Sequence, residues 1–153
     1  MVDASEFFKL NAAQIARLIP HQGGMCLLAG VKNYDRQSIT CMAVSHRLAT
    51  NPLRENGRLH AICGVEYAAQ AMAIHGTLLS GQGDKPPRGG RLAGVRSLDL
   101  KVHRLDDIKA DLEINATQIM GDENSMVYEF TVGAAGVNLL EGKATVILMP
   151  APN

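Results

Sequence analysis

The sequence predicts an α+β fold in which one curved antiparallel β-sheet wraps around a single long helix. Residues 61–79 are rich in Ala and apolar on nearly every side, which is typical of a helix that is buried rather than lying on the surface. Two extended apolar runs precede this helix and four follow it, and their short connections favour antiparallel hairpins or meanders. A helix of this kind must be covered by the sheet, which gives the predicted architecture.

The first elements are a short helix and a hairpin. Asn11 can cap a helix whose apolar positions recur at helical spacing up to Leu18, and Pro20 ends it. Residues 25–31 and 38–44 are predicted as strands, joined by the polar turn 32–37. Residues 45–59 contain Asn-Pro and Asn-Gly pairs, so we expect a long loop there.

The long helix has few polar residues, namely Glu66, Tyr67, Gln70, His75 and Thr77. A membrane span is the rival interpretation because about 19 residues suffice to cross a bilayer. A Glu, a Gln and a His near its centre would make insertion costly, so we expect a buried helix and no membrane association.

The remaining elements follow a loop rich in Gly and Pro at 80–90. This loop lacks the Lys-Ser/Thr ending of a phosphate loop and is predicted to be a surface turn. Four strands are then expected at 92–102, 108–119, 126–133 and 139–149, with clear alternation at 110–115 and 127–132. The chain contains no internal repeat and no linker, so we expect one domain over residues 1–153.

Composition excludes several classes of function. The 15 basic side chains are balanced by 15 acidic ones, which provides no electrostatic footprint for nucleic acid. Zero net charge weakens repulsion between copies, so a homodimer or a higher homo-oligomer is expected. The N-terminus resembles no secretory signal, and the three cysteines are predicted to be small buried hydrophobes in a reduced, cytoplasmic compartment. No metal site and no cofactor are predicted, because Cys and His do not occur at ligand spacing.

Glu66 is the first candidate for chemistry, because a carboxylate on a buried helix is costly to ionise unless it is paired or solvated. It is either a general acid or base, or the partner of an Arg from the sheet, or part of a solvated stretch. Gln70 lies one turn later and could orient Glu66 or satisfy a buried polar partner. His21 and His60 could each bring an imidazole to the helix start, whereas His46, His75 and His103 receive no role.

Two segments resemble a known family. The run IARLIPHQGGMCLLAGV at 15–31 and the run GVEYAAQAMAIHG at 64–76 are similar to the opening and the central helix of β-hydroxyacyl-acyl carrier protein dehydratases. The combination looks most like the subgroup associated with aryl polyene biosynthesis. The resemblance implies the hotdog fold, a dimer or trimer of dimers, and a catalytic pair made of a His from one subunit and a carboxylate from its partner. It maps the carboxylate onto Glu66, and places thioester binding at the backbone N–H groups of Ala61 and Ile62.

The sequence departs from the family at the loop that usually supplies the catalytic histidine. The Gly-His-Phe-Pro-Gly motif is absent, and the equivalent stretch is TNPLRENGRLH at 50–60. His21 is the first choice for the missing imidazole, since the related subgroup carries a His there, and His60 is the second. A catalytically weak subunit that supports an active partner, including a hetero-dimer with a related hotdog chain, is the alternative.

The resemblance implies reversible dehydration of a 3-hydroxyacyl thioester, carried on acyl carrier protein or coenzyme A, to a trans-2-enoyl thioester. His21 or His60 would act as base and Glu66 as acid toward the leaving hydroxyl. A tunnel passing Met72 and Leu92 would hold the acyl chain. Two other functions remain open, a hotdog thioesterase and a non-catalytic acyl-binding subunit. An Arg cluster is the expected docking site for an acidic carrier protein, formed by Arg88, Arg91 and Arg96.

Overall fold

An antiparallel sheet and one 17-residue helix dominate the computed structural model, which describes residues 8–19, 23–80 and 90–149. The helices are α1, Ala12–Ala16, and α2, Gly64–Ser80. The strands are β1 Leu10–Asn11, β2 Gly30–Tyr34, β3 Ser38–Ala43, β4 Gly90–Leu100, β5 Leu112–Gly121, β6 Ser125–Ala134 and β7 Val137–Leu148. Their order in the sheet is β1-β2-β3-β5-β6-β7-β4, and every neighbouring pair is antiparallel. The predicted α+β architecture, with the sheet against one long helix, is confirmed.

Alternation along β5 and β6 places one face of the sheet against α2. Every second residue is buried over residues 112–116 of β5 and 128–134 of β6, as expected for a sheet covered on one side. The helix contributes its own fully buried residues to the same cluster. The buried residues that meet between helix and sheet include Tyr67, Ala71, Ile74, Leu112, Ile114, Ala116, Tyr128, Phe130 and Val132.

The predicted cap of the first helix is confirmed, and it forms a reciprocal capping box. Asn11 Oδ1 accepts the Gln14 N–H at 3.0 Å, while Gln14 Oε1 accepts the Asn11 N–H at 2.9 Å. The helix ends at Ala16, earlier than predicted, because the Leu18 N–H donates to the Ile15 carbonyl in a tighter turn. Pro20 lies outside the described residues.

The predicted strand 25–31 is wrong over most of its length, since β2 begins only at Gly30. Gly23–Met25 forms a 3-10 turn instead. The Leu27 peptide bonds to side chains rather than to a neighbouring strand. Its N–H donates to Gln70 Oε1 at 2.9 Å and its carbonyl accepts the Ser45 hydroxyl at 2.8 Å. A run of hydrophobic residues in the sequence does not show that distant side chains will bind its backbone in place of a neighbouring strand.

The predicted strand 108–119 likewise begins late, at Leu112. The cause is the buried ring of His46, whose Nε2 lies 3.0 Å from the carbonyl oxygens of both Ile108 and Ala110. These two carbonyls are therefore bound by a side chain instead of a β-ladder. The strands predicted at 92–102, 126–133 and 139–149 are present, with their ends shifted by one or two residues.

Two fully buried histidines are held as neutral rings. His46 Nε2 must carry the proton because both of its partners are carbonyls. His75 Nε2 donates to the Asp35 carbonyl at 2.8 Å, so its Nδ1 accepts the Tyr128 hydroxyl at 2.7 Å. Burial lowers the pKa of each ring below its ordinary value.

This arrangement predicts a loss of stability in mild acid. The unfolded histidines take up protons below about pH 6.5 while the folded rings resist them, so the free energy of unfolding falls as the pH drops through this range. The midpoint of urea unfolding should be lower at pH 5.0 than at pH 7.5. Carboxylates with lowered pKa values, such as Asp35 and Asp122, lose their contribution only at more acidic pH. Equal midpoints at the two pH values would contradict the assignment of neutral buried rings.

The structure also describes the cysteines, the apolar length of the helices and the grouping of potential metal ligands. Cys41 is fully buried, and burial raises the pKa of its thiol to about 12, whereas Cys26 and Cys63 are half-buried. No helix in the described ranges is long and apolar enough to cross a membrane. Within the same ranges, no three His, Cys, Asp or Glu side chains are grouped closely enough to hold a metal ion.

Candidate active site

Glu66 lies in the first turn of α2, on the side of the helix that the sheet leaves partly uncovered. Its side chain is half-buried, as are Ala69 and Ala73, which follow at helical spacing on the same face. Tyr67 and Gln70 on the adjacent face are fully buried. The carboxylate is thus reached by water while small side chains leave room beside it. This position suits a group that exchanges a proton with a bound molecule.

The surroundings of Glu66 include Cys63 and the loop before the helix. Burial raises the pKa of the Cys63 thiol, and the negative charges of Glu55 and Glu66 raise it further. The Cys63 sulfur lies 4.0 Å from the Leu53 carbonyl oxygen. The loop 50–60 therefore lies beside the start of α2.

Cys63 can report on the charge of Glu66. Glu66→Gln removes one of the carboxylates that raise the Cys63 pKa, so the thiolate fraction at pH 8.5 should increase. We expect faster alkylation of Cys63 by iodoacetamide in this variant, measured by peptide mass spectrometry. Cys41, which is fully buried, serves as the internal control. An unchanged alkylation rate at Cys63 would show that Glu66 is not an ionised neighbour of this thiol.

The backbone N–H groups at the start of the helix are already hydrogen-bonded within the chain. The Ala61 N–H donates to the His103 carbonyl and the Cys63 N–H to the His60 carbonyl, both at 3.0 Å. The Ile62 N–H donates to His60 Nδ1, also at 3.0 Å. Of the two N–H groups that the resemblance implies for thioester binding, that of Ala61 is bound by a backbone carbonyl. Ile62 is held by an exposed side chain that can rotate away.

His60 is exposed and acts as the N-cap of the 3-10 turn Ala61–Cys63 that leads into α2. Because Nδ1 accepts the Ile62 N–H, a neutral ring carries its proton on Nε2. His60 precedes Glu66 by six residues and lies outside α2.

His21 lies outside the described residues, but the segment that follows it is described. A Cβ on Gly24 would lie 3.8 Å from Pro52 Cδ, which places Gly24 against the loop 50–60. Met25 and Leu27 are bound to α2 through Gln70. Residues 24–27 therefore lie between this loop and the helix turn that follows Glu66.

Gln70 is fully buried, and both of its observed hydrogen bonds go to backbone. Its Oε1 accepts the Leu27 N–H at 2.9 Å and its Nε2 donates to the Met25 carbonyl at 2.6 Å. These contacts correspond to the second role that the sequence allows, the satisfaction of a buried polar partner.

The loop that lacks the family's histidine carries a buried Asn instead. Asn51 Nδ2 donates to the Tyr67 hydroxyl at 3.1 Å and to the Ser45 carbonyl at 2.9 Å, and its Oδ1 accepts the Leu53 N–H at 2.9 Å. Ser45 Oγ lies 2.6 Å from the Tyr67 hydroxyl. This cluster was not predicted from the sequence, although its signals were visible there: Tyr67 is a polar residue in the helix, and the loop contains an Asn-Pro pair.

The other residues singled out in the sequence lie in the core, on β4 or outside the described ranges. Met72 is buried in the core, whereas Leu92 is 37% exposed on β4, so these two side chains do not line one internal tunnel. Arg91 and Arg96 are exposed on β4, and Arg88 lies outside the described residues. A groove of about 410 Å³ is lined by residues that include Met42, Glu113, Thr131 and Asn138, and Glu66 is not among its lining residues.

Comparisons with known proteins agree with this fold. The family model described as ApeP dehydratase, of the ApeP-like family, matches residues 13–152. The dehydratase heterocomplex ApeI:P from Xenorhabdus doucetiae superposes with a TM-score of 0.75 at 22% identity, covering 91% of each chain. A thioesterase from Haemophilus influenzae superposes with a TM-score of 0.64 at 12% identity, covering 94% of this chain and 93% of its own. These likenesses show the hotdog fold. No protein of curated function matches the sequence.

Proposed function

The chain belongs to the ApeP-like dehydratase family, and from this premise we propose that it dehydrates 3-hydroxyacyl thioesters reversibly to trans-2-enoyl thioesters. The observation that carries the proposal is the position of Glu66, a half-buried carboxylate on the uncovered face of the central helix. Loss of water across C2 and C3 needs a base for the C2 proton, an acid for the C3 hydroxyl and a donor to the thioester oxygen.

Glu66 is the proposed acid. Protonated Glu66 gives its proton to the C3 hydroxyl as the C–O bond breaks, and water leaves. The small side chains of Ala69 and Ala73 continue the same helix face and leave space for the first carbons of the acyl chain.

His21 is the proposed base, ahead of His60. The subgroup that this sequence resembles carries a His at this position, three positions before Gly24. Gly24 lies against the loop 50–60, which is equivalent to the stretch that carries the usual histidine in the family. His46 and His75 are unsuited to this role because their rings are buried and bound to backbone carbonyls.

The Ile62 N–H is the proposed donor to the thioester oxygen. The Ile62 N–H can become available to the substrate when the His60 ring rotates away. The Ala61 N–H cannot become available in this way, because its partner is the backbone carbonyl of His103. The positive end of the α2 dipole would add to stabilisation of the enolate-like oxygen.

A second hotdog subunit is the proposed partner. Strand β4 is at the edge of the sheet, 11 residues long and exposed over most of its length, and such edges attract another strand. The ApeI:P structure is a heterocomplex, so the partner is either a second copy or a related chain. Acyl carrier protein is the proposed thioester carrier, with exposed Arg91 and Arg96 as proposed contacts to its acidic surface.

The test is identification of the product. The tagged chain, purified with any subunit that accompanies it, is incubated with a 3-hydroxyacyl-acyl carrier protein. Dehydration yields an enoyl thioester that absorbs in the near ultraviolet, whereas the alternative activity, that of a thioesterase as other proteins of this fold are described, releases a free thiol. Thiol release without enoyl product would contradict the proposal. Absence of both products from an intact complex would favour a non-catalytic subunit.

A further inference from the structure

The proposed mechanism leaves unused a buried tyrosine directly beside Glu66. Tyr67 is fully buried, and its hydroxyl oxygen lies 2.6 Å from Ser45 Oγ and 3.1 Å from Asn51 Nδ2. Ser45 and Asn51 both lie in the loop that follows β3. A single hydroxyl group therefore joins this loop to the helix turn that carries Glu66.

The direction of each hydrogen bond follows from the atoms involved. Ser45 Oγ lies 2.8 Å from the Leu27 carbonyl, which can only accept, so the Ser45 hydroxyl donates to it. The Tyr67 hydroxyl then donates to Ser45 Oγ, and the Tyr67 oxygen accepts from Asn51 Nδ2. The result is a one-way chain that runs from Asn51 through Tyr67 and Ser45 to the Leu27 backbone.

This chain ends on a segment that has no strand partner of its own. Residues 25–27 precede β2, and the Leu27 N–H is bound by Gln70, one turn after Glu66. The Leu27 peptide is thus held on one side by Gln70 and on the other by the chain through Tyr67. Side chains from the helix turns around Glu66 determine where this segment lies.

We propose that Tyr67 is a positioning residue of the dehydratase site, which holds the loop 45–53 and residues 25–27 in place beside Glu66. The proposal rests on the proposed function of Glu66. Burial raises the pKa of Tyr67, although its hydrogen bonds with Ser45 and Asn51 partly oppose this, so the hydroxyl keeps the proton that the chain requires. Small displacements of groups around a reacting centre reduce the rate strongly, so a loosened segment should lower kcat.

Tyr128 provides a matched control. It is also fully buried, and its hydroxyl bonds to His75 at 2.7 Å. His75 is nine residues beyond Glu66, which corresponds to about 13 Å along the helix. Tyr128→Phe and Tyr67→Phe each remove one buried hydroxyl and keep the ring.

The experiment compares these two variants in the complete complex. Both should lower Tm by a few degrees, but only Tyr67→Phe should lower kcat, by about tenfold with KM within about twofold. Ser45→Ala, which breaks the next hydrogen bond of the chain, should reproduce the effect of Tyr67→Phe. Equal kcat values for Tyr67→Phe and Tyr128→Phe at similar Tm would overturn the proposal.

Hydrogen exchange provides a readout that does not depend on activity. Amide exchange in a peptide covering residues 25–29 should accelerate in Tyr67→Phe and stay unchanged in Tyr128→Phe. Unchanged exchange in both variants would also overturn the proposal. Wild-type activity of Glu66→Gln would contradict the proposed function instead, so the two failures are distinguishable.

Discussion

Glu66→Gln should lower kcat for dehydration by about 10²–10⁴-fold, with a much smaller effect on KM. The amide has the same size as the carboxylic acid but cannot deliver a proton to the leaving hydroxyl. Because Glu66 is half-buried in the first turn of α2, the change should leave the core intact. The rate is measured as the appearance of enoyl thioester in the near ultraviolet, and circular dichroism and Tm establish that the variant is folded.

Glu55→Gln is the matched control. Glu55 is an exposed loop carboxylate whose charge, like that of Glu66, reaches Cys63. The control should retain wild-type activity, because Glu55 does not lie on α2. A Glu66→Gln rate within threefold of wild type, or an equal loss in both variants, would remove Glu66 from the role of acid.

His21→Gln should cause a loss of comparable size, about 10²–10⁴-fold in kcat, and should change the pH dependence of the rate. A histidine base works only when neutral, so the wild-type rate falls toward acidic pH. The variant should lack this acidic limb. The measurement is kcat from pH 5.5 to pH 8.5 for the two proteins.

His60→Asn separates the two candidate histidines. An Asn side chain can accept a backbone N–H at an N-cap, so it can replace His60 Nδ1 as the partner of Ile62. We expect this variant to keep the acidic limb and most of the activity. Loss of the limb in His60→Asn, together with its retention in His21→Gln, would reverse the assignment.

The long helix and most strands could be predicted because their signals are local. The Ala-rich stretch, the alternation in β5 and β6, and the Asn11 cap each depend on neighbouring residues in the chain. The wrong strand at 25–31 had a non-local cause. Gln70 and Ser45, which lie far away in sequence, bind the Leu27 peptide and replace a strand partner.

The same distinction applies to the candidate site. A carboxylate in an otherwise apolar helix is visible in the sequence, so Glu66 could be singled out from composition and its role from resemblance. The availability of the backbone N–H groups for a ligand could not be predicted from the sequence. Ala61 and Ile62 look equivalent in the sequence, yet their partners are a backbone carbonyl and a movable imidazole. The hydrogen bonds of Tyr67 with Ser45 and Asn51 depend on the conformation of the loop. Turn-forming residues predict that a loop is present but not which conformation it adopts.

Isotope incorporation from water distinguishes dehydration at the Glu66 site from hydrolysis of the thioester. The complete complex is incubated with a trans-2-enoyl thioester in water labelled with ¹⁸O, and the products are analysed by mass spectrometry. Because the reaction is reversible, the proposed dehydration predicts a 3-hydroxyacyl thioester that carries ¹⁸O at C3, and this product should be lost in Glu66→Gln. A free carboxylic acid carrying ¹⁸O in its carboxyl group, formed without the labelled 3-hydroxyacyl thioester, would contradict it.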